Sequence, residues 1–150
     1  MKILKGDLIQ FALEGHFDVI IHGCNCFGTM GAGIAAQIKK HFPAAYEADL
    51  DTPVGDRTKL GTYSMAAVEN NGHKIIIINA YTQYDFSGRG RLTDYGAVKK
   101  VFSKIKNDFS GKKIGYPRIG AGLGRGDWQI ISDIICNELK GENHTLVEYL

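Results

Sequence analysis

The sequence predicts an α/β protein in which helices cover both faces of a mixed sheet, a three-layer α/β/α sandwich. Short apolar runs rich in β-branched residues alternate along the chain with segments of helical periodicity. The hydrophobic share of 44% and the charged share of 23% are typical of an ordinary globular protein. The length of 150 residues suits one domain, residues 1–150.

A strand followed by a helix begins this pattern. Residues 18–22 are a short run of mainly β-branched apolar residues, which favours a buried strand. Residues 31–41 are predicted to form a helix, because Ile34, Ile38 and Phe42 recur four apart on one face. Pro43 is expected to end this helix.

The middle of the chain predicts an antiparallel pair of strands. Residues 62–68 alternate loosely between apolar and polar side chains, and residues 74–80 include four consecutive isoleucines. Asn70-Asn71-Gly72 between these two runs is a hairpin-type turn signal. The two strands should therefore lie side by side and run in opposite directions.

The rest of the chain continues the alternation of helices and strands. Residues 93–109 and 127–139 repeat apolar side chains every three or four positions and predict amphipathic helices. Residues 112–116 predict a short strand, and residues 145–150 predict a last strand that closes the sheet.

Composition and charge exclude several classes of protein. The net charge of +2 is too small to indicate a nucleic-acid partner by itself. The three cysteines lack the spacing of a zinc site, so we expect no metal, no cofactor and a reduced, cytoplasmic setting, or a host cytoplasm if the protein is viral. No apolar run reaches the ~18 residues that span a membrane, and the N-terminus lacks the apolar core of a signal peptide.

Glycine is the unusual residue type: 19 of the 150 residues are glycine, roughly 13%, whereas the average share in proteins is ~7%. Many fall in two clusters, which we call the first glycine loop (residues 23–33) and the second glycine loop (residues 120–126). Each follows a predicted strand and opens a predicted helix. Ligands of α/β sheets bind at that position, and helix N-termini attract anions, so two such loops indicate a phosphate or pyrophosphate site.

The two glycine loops differ from the best-known phosphate-binding motifs. No Gly-Lys-Ser/Thr follows either cluster, which excludes the phosphate loop of kinases and ATPases. Gly31-Ala32-Gly33 lacks a third glycine at the offset that the usual dinucleotide fingerprint requires. Either loop alone also fits a tight strand-to-helix turn that needs positive φ, so the indication of an anion site rests on the pair.

Four stretches together resemble the macrodomain family, which binds ADP-ribose. They are Lys5-Gly6-Asp7-Leu8, Gly23-Cys24-Asn25-Cys26, Met30-Gly31-Ala32-Gly33-Ile34-Ala35 and Pro117-Arg118-Ile119-Gly120-Ala121-Gly122-Leu123. Their order and spacing cover nearly the whole chain. The sequence is most similar to the branch that contains ADP-ribose-1″-phosphate phosphatases and glutamyl-ADP-ribose hydrolases.

The resemblance implies a role for each stretch. Asp7 would accept the adenine amino group, Leu8 would offer its backbone N–H to the adenine, and Asn25 would face the distal ribose. The pyrophosphate and distal ribose would lie between two sets of residues: Met30, Gly31, Ala32, Gly33 and Ile34 on one side, and Gly120, Ala121, Gly122, Leu123 and Gly124 on the other. An aromatic side chain, Tyr84 or Phe86, would cover the adenine or the distal ribose.

Simpler roles remain open for several of these residues. Asp7 also fits a turn after the first strand, and Asn25 fits a loop residue that bonds its own backbone. Ile119 and Leu123 fit packing residues, and the aromatic candidates fit packing beneath their loop.

The resemblance also identifies what this chain lacks. The hydrolases use a lysine after the central strand and an acid after the second glycine loop. Here no lysine stands near Thr82 and Gln83, and Gly124 occupies the place of the acid. A phosphatase reaction remains compatible with the sequence, because backbone N–H groups stabilise charge without a metal.

Three residues are candidates for the catalytic roles. Asp127 and Asp85 are candidate general bases, and Asn25 is a candidate to orient the ribose or the water. Asp127 also fits the N-cap of a helix, and Asp85 fits a solvated loop acid. The alternatives are a non-catalytic module and a hydrolase that removes ADP-ribose from ADP-ribosylated macromolecules. We expect a monomer that binds ADP-ribose or its 1″-phosphate.

Overall fold

A computed structural model describes residues 1–149 and confirms the predicted α/β class. The strands are β1 (Lys2–Lys5), β2 (Val19–Cys24), β3 (Tyr63–Asn70), β4 (His73–Tyr81), β5 (Lys113–Tyr116) and β6 (Asn143–Glu148). The helices are α1 (Leu8–Leu13), α2 (Gly33–His41), α3 (Pro43–Leu50), α4 (Tyr95–Phe109) and α5 (Trp128–Glu138), with a short 3-10 helix at Arg57–Lys59.

The strands form one mixed sheet in the order β1-β6-β5-β2-β4-β3. Only β3 runs antiparallel to its neighbour, pairing with β4 across the predicted turn, and the other neighbouring strands are parallel. The carboxyl ends of β1, β2, β4, β5 and β6 therefore meet at one edge of the sheet. This is the edge at which α/β sheets bind ligands.

Helices cover both faces of the sheet, which confirms the three-layer architecture. Val19 and Ile21 of β2 pack in a buried cluster with α4 and α5. Ile20, between them in sequence, packs in the opposite cluster with α1, α2 and α3. Because successive side chains of a strand point to opposite faces, β2 is apolar throughout rather than alternating.

Two helices were not predicted from the sequence. Pro43 follows the end of α2 as expected, but it is also the first residue of α3, a position that proline favours because its missing N–H needs no partner there. The six-residue helix α1 follows Asp7, which caps it. The predicted strands and helices match the observed ones to within two residues at each end; Leu150 of the predicted last strand lies outside the described residues. Among the described residues, no helix combines the length and the apolar character needed to cross a membrane.

Candidate functional site

The loops at the carboxyl edge of the sheet enclose two adjoining cavities. The first cavity has a volume of about 550 Å³, and its walls are residues 23–25, Thr29, residues 31–35, Gln83, Phe86, residues 117–120 and residues 122–124. The second cavity, of about 950 Å³, shares Gly33, Ile34, Pro117, Arg118 and Gly122 with the first and extends to residues 6–9 after β1. Cavities of this size hold small-molecule ligands.

The N-terminus of α2 contributes free backbone amides to the first cavity. Ala32 occupies its N-cap position and offers no side-chain acceptor. By contrast, aspartate side chains cap α1, α4 and α5. The first N–H groups of a helix have no partner within it and carry the positive end of its dipole. The uncapped α2 therefore favours an anion in the cavity.

The second glycine loop offers a further set of free amides. Within residues 1–149, the backbone N–H groups of Gly120, Gly122, Leu123 and Gly124 have no hydrogen-bond acceptor. The carbonyl groups of Gly120 and Gly124, in contrast, accept hydrogen bonds from residues 92, 93 and 126. Clustered free N–H groups form an anion-binding concavity. Both glycine loops thus offer unbonded N–H donors at the first cavity.

Particular glycines are required by this geometry. Gly33 and Gly120 have φ angles of +60° and +75°, in the left-handed region that favours glycine. A Cβ at Gly31 or Gly122 would meet no atom within 4 Å. Because both of these residues line the first cavity, a side chain at either position would enter the space that a ligand needs.

Most of the predicted binding residues lie at the two cavities. Asn25, Gly31, Ala32, Gly33, Ile34, Gly120, Gly122, Leu123 and Gly124 line the first cavity. Asp7, Leu8 and Ala121 line the second. The structure thus brings together residues from the ends of β1, β2 and β5.

The structure corrects three expectations about side chains. Met30 is only 2% exposed, packs in the core on the α1–α3 side and lines neither cavity. Tyr84 lines neither cavity, because its hydroxyl donates to the Gly55 carbonyl at 2.8 Å. Phe86, 56% exposed, is the aromatic residue that lines the first cavity. Leu123 is not a packing residue, because 69% of it is exposed.

The two acidic candidates for general base lie outside the cavity linings. Asp127 accepts a hydrogen bond from the Gln129 N–H at 2.9 Å and caps α5, so the structure supports the N-cap alternative and not the catalytic role. Asp85 accepts a hydrogen bond from the Phe86 N–H at 2.7 Å. Gln83 and Phe86, two residues before it and one after it, both line the first cavity. Of the two acids, Asp85 therefore lies closer in sequence to residues that line this cavity.

Asn25 organises the first glycine loop from within. Its Nδ2 donates to Thr29 Oγ1 at 2.7 Å, and its Oδ1 accepts from the Phe27 N–H at 2.8 Å. Asn25 therefore does bond its own loop, as its residue type allows. It also lines the first cavity, and its amide retains further hydrogen-bonding capacity for a ligand.

A buried polar cluster beneath the first glycine loop was not predicted from the sequence. Lys59, 6% exposed, donates from Nζ to the Cys26 carbonyl at 3.2 Å. The Tyr81 hydroxyl donates to Asp49 Oδ1 at 2.7 Å, and Asp49 is 1% exposed. The Lys59 contact holds the Cys26 backbone, next to Asn25. Both contacts join residues more than 30 positions apart, so no local pattern indicates them.

Cys24 lines the first cavity but lacks the environment of a nucleophile. Burial, reinforced by the Asp49 carboxylate, holds the pKa of its thiol well above the usual range. His22 lies 3.6 Å from Cys24 Sγ, yet burial lowers the pKa of this histidine to about 4. The thiol thus stays protonated at neutral pH, as expected of a packing residue.

Because His22 is buried and neutral, we expect the protein to lose stability in mild acid. The unfolded chain binds the proton near pH 6.5 and the folded chain near pH 4, so the contribution is complete above pH 6.5 and is lost as the pH falls towards 4. The free energy of unfolding should drop by about 1.4 kcal/mol per pH unit from this residue. Urea unfolding between pH 7 and pH 5 measures the slope. A His22→Gln variant with the same slope as wild type would contradict this account.

Two polar residues of the first cavity were not predicted from the sequence. Arg118 lines both cavities. It lies inside one of the four stretches that resemble the family, and that position could have identified it as a site residue. Gln83 follows β4, and its Nε2 donates to the Asp85 carbonyl at 2.8 Å. From the sequence, the stretch around Gln83 was informative only because it lacks the lysine that the hydrolases use after the central strand. In the described part of the chain, Arg118 and Cys24 are the only ionisable side chains that line the first cavity.

Sequence comparison finds proteins that are similar to this chain over most of its length. The chain is 43% identical over 141 residues to an uncharacterized 17.5 kDa protein of Enterobacteria phage T4, covering 90% of this chain and 87% of that protein. It is 29% identical over 164 residues to a protein of Debaryomyces hansenii named ADP-ribose 1″-phosphate phosphatase, covering 90% and 92%.

Structural comparison finds the same fold. A structure of Thermosipho africanus DarTG in complex with ADP-ribose superposes with a TM-score of 0.75 at 19% identity, covering 100% of this chain and 42% of that one. The family model described as Macro domain matches residues 21–135. That match includes both glycine loops and most of the sheet, and the chain belongs to the macro domain family.

Proposed function

We propose that this macrodomain binds ADP-ribose across its two cavities and removes phosphate from ADP-ribose-1″-phosphate. The observation that carries the binding proposal is the pair of glycine loops whose free amides line one cavity. The diphosphate would lie between these loops, with the adenine in the second cavity near Asp7 and Leu8 and the distal ribose in the first near Asn25.

The proposed reaction is attack of water on the 1″-phosphate. The water oxygen bonds to phosphorus as the Asp85 carboxylate takes its proton, and the bond from phosphorus to the ribose oxygen breaks as that oxygen takes up a proton from solvent. Free backbone amides and the Arg118 guanidinium would stabilise the charge on the phosphate oxygens. Asp85 is the proposed base, and the phosphatase name of the Debaryomyces hansenii relative supports this reaction.

A second candidate function is a module that binds ADP-ribose without turnover. It is favoured by one observation: among the described residues, no carboxylate and no histidine lines the first cavity. A catalytic Asp85 has to turn from its bond with the Phe86 N–H towards the substrate. The free ligand or ADP-ribosylated macromolecules would then be the partners of a binding module.

Phosphate release separates these two functions. The wild-type protein should release inorganic phosphate from ADP-ribose-1″-phosphate, and Asp85→Asn should lower kcat by about 100-fold because a general base contributes that much. Asp127→Asn is the matched control, because asparagine also caps a helix and turnover should persist. No release by wild-type protein that binds ADP-ribose would leave the binding module as the function.

Replacement of Asp7 should weaken ADP-ribose selectively. Asp7→Ala removes the proposed acceptor for the adenine amino group, so the Kd for ADP-ribose should rise roughly 10-fold, whereas the Kd for ribose-5-phosphate should change little. Because Asp7 Oδ1 also accepts from the Ile9 N–H at 2.9 Å, the variant should lose about 1 kcal/mol of stability. Asp7→Asn keeps the cap but not the carboxylate. Calorimetric titrations that show equal weakening for both ligands would contradict the placement of adenine.

The setting of this activity is part of the proposal. The similarity to a protein of Enterobacteria phage T4 supports work in the cytoplasm of a host cell. We propose that the chain acts there as a monomer on a free nucleotide.

A further inference from the structure

Thr93, which no sequence motif singles out, is enclosed by the second glycine loop although it precedes α4 in the chain. It is 2% exposed, and its Oγ1 donates to the Gly120 carbonyl at 2.8 Å. A Cβ added at Gly120 would lie 2.8 Å from Thr93 Cγ2, and one added at Gly124 would overlap Thr93 Oγ1. The loop therefore wraps closely around this one side chain.

The Gly120 and Gly124 carbonyls of the loop are bonded to residues that do not line the first cavity. We call residues 88–93 the bracing segment. The Gly124 carbonyl accepts from the Leu92 N–H at 2.9 Å and from the Thr93 N–H at 3.2 Å. The Gly120 carbonyl accepts from the Gly126 N–H at 2.7 Å as well as from Thr93.

The second glycine loop also contacts the first residues of the bracing segment. Arg125 Nη1 donates to the Gly88 carbonyl at 2.8 Å and to the Gly90 carbonyl at 2.7 Å. The backbone of Gly88 and Gly90 is therefore bonded to the second glycine loop rather than free. With the Gly120 and Gly124 carbonyls bonded in this way, the loop is held beside the first cavity while several of its N–H groups stay unbonded.

A glycine-rich loop needs such an external restraint. Glycine adopts positive and negative φ with similar ease, so peptide units in this loop can turn over at little cost. A reversed peptide would direct a carbonyl oxygen, with its partial negative charge, at a bound phosphate. The Gly120 and Gly124 carbonyls bound the segment that carries the free N–H groups, so hydrogen bonds to these two carbonyls restrict how the peptides between them can turn.

We propose that Thr93 is a positioning residue that sets the amide groups of the second glycine loop towards the phosphates of the ligand. Its hydroxyl fixes the Gly120 carbonyl, and its backbone N–H fixes the Gly124 carbonyl. The inference rests on the proposed binding of ADP-ribose. Thr93 does not line the first cavity, and it would act on the affinity for ADP-ribose through the second glycine loop.

Two variants isolate the hydroxyl group. Thr93→Ala and Thr93→Ser both lose the methyl group, and only serine keeps the donor to the Gly120 carbonyl. Calorimetry should show a Kd for ADP-ribose raised about 10-fold or more in Thr93→Ala and largely restored in Thr93→Ser. Equal affinities in the two variants would overturn the proposal. If Thr93→Ala does not fold, Thr93→Val replaces it, because valine keeps the shape and lacks the hydroxyl.

Hydrogen exchange without ligand provides a separate readout. The Gly126 N–H, which donates to the Gly120 carbonyl, should exchange faster in Thr93→Ala than in Thr93→Ser. If wild-type protein binds no ADP-ribose, the proposed function fails, and these rates alone decide the role of Thr93. Faster exchange in the alanine variant then supports the positioning role, and equal rates overturn it.

Discussion

Gly122→Glu should lower the affinity for ADP-ribose by about 100-fold or more, the largest effect expected of any single substitution at the site. A Cβ at residue 122 meets no protein atom within 4 Å, and residue 122 lines both cavities, so a longer side chain there enters the space that they share. The carboxylate would therefore occupy the proposed place of the diphosphate and repel it. Calorimetric titration of ADP-ribose into the folded variant measures the loss.

Gly122→Gln separates charge from volume. Glutamine fills the same space without negative charge, so its affinity should fall less than that of Gly122→Glu. Both variants should keep wild-type stability, because the site of substitution is open. An unchanged Kd in the folded glutamate variant would show that the phosphates do not lie against the second glycine loop.

Gly124→Ala, two residues further on, should instead destabilise the protein. A Cβ there would overlap Thr93 Oγ1 and lie 2.8 Å from Gln83 Oε1 and 2.9 Å from the Gly120 carbonyl oxygen. Overpacking of this kind costs about 1–3 kcal/mol, and the loop must move to relieve it. We therefore expect a lower free energy of unfolding together with weaker ADP-ribose binding.

The matched control is Gly122→Ala, which adds the same methyl group at an open position of the same loop. Urea unfolding should show wild-type stability for Gly122→Ala and reduced stability for Gly124→Ala. If the two alanine variants were equally stable, the close packing of Gly124 against Thr93 would be refuted. A carboxylate side chain at residue 124 would likewise clash with Thr93 and Gln83 in this structure.

Much of the fold follows from local sequence patterns. The four isoleucines of β4 and the turn at residues 70–72 predict the antiparallel pair, and the periodicity of residues 93–109 predicts α4. The helix α3 escapes prediction because its apolar and polar residues do not separate onto opposite faces, and because Pro43 indicates the end of one helix as readily as the start of another. The helix α1 escapes it because six residues are too short for a clear period.

The binding loops are easier to predict than the residues that support them. Glycine clusters at strand ends indicate an anion site because the chemistry lies in the backbone. The contact of Thr93 with Gly120 joins residues 27 positions apart, and Lys59 reaches Cys26 from 33 positions away. Such contacts depend on how the loops fold against each other. For the same reason, the sequence alone leaves Asp127 open as a general base, whereas its bond to the Gln129 N–H identifies it as a cap.

The central claim is that the two glycine loops hold one ADP-ribose molecule between their free amides. Backbone amide resonances followed by NMR during a titration with ADP-ribose test it directly. The amides of residues 31–35 and of residues 120–124 should shift together along one binding curve. Shifts confined to one loop, or absent from both while the ligand binds elsewhere, would contradict the account.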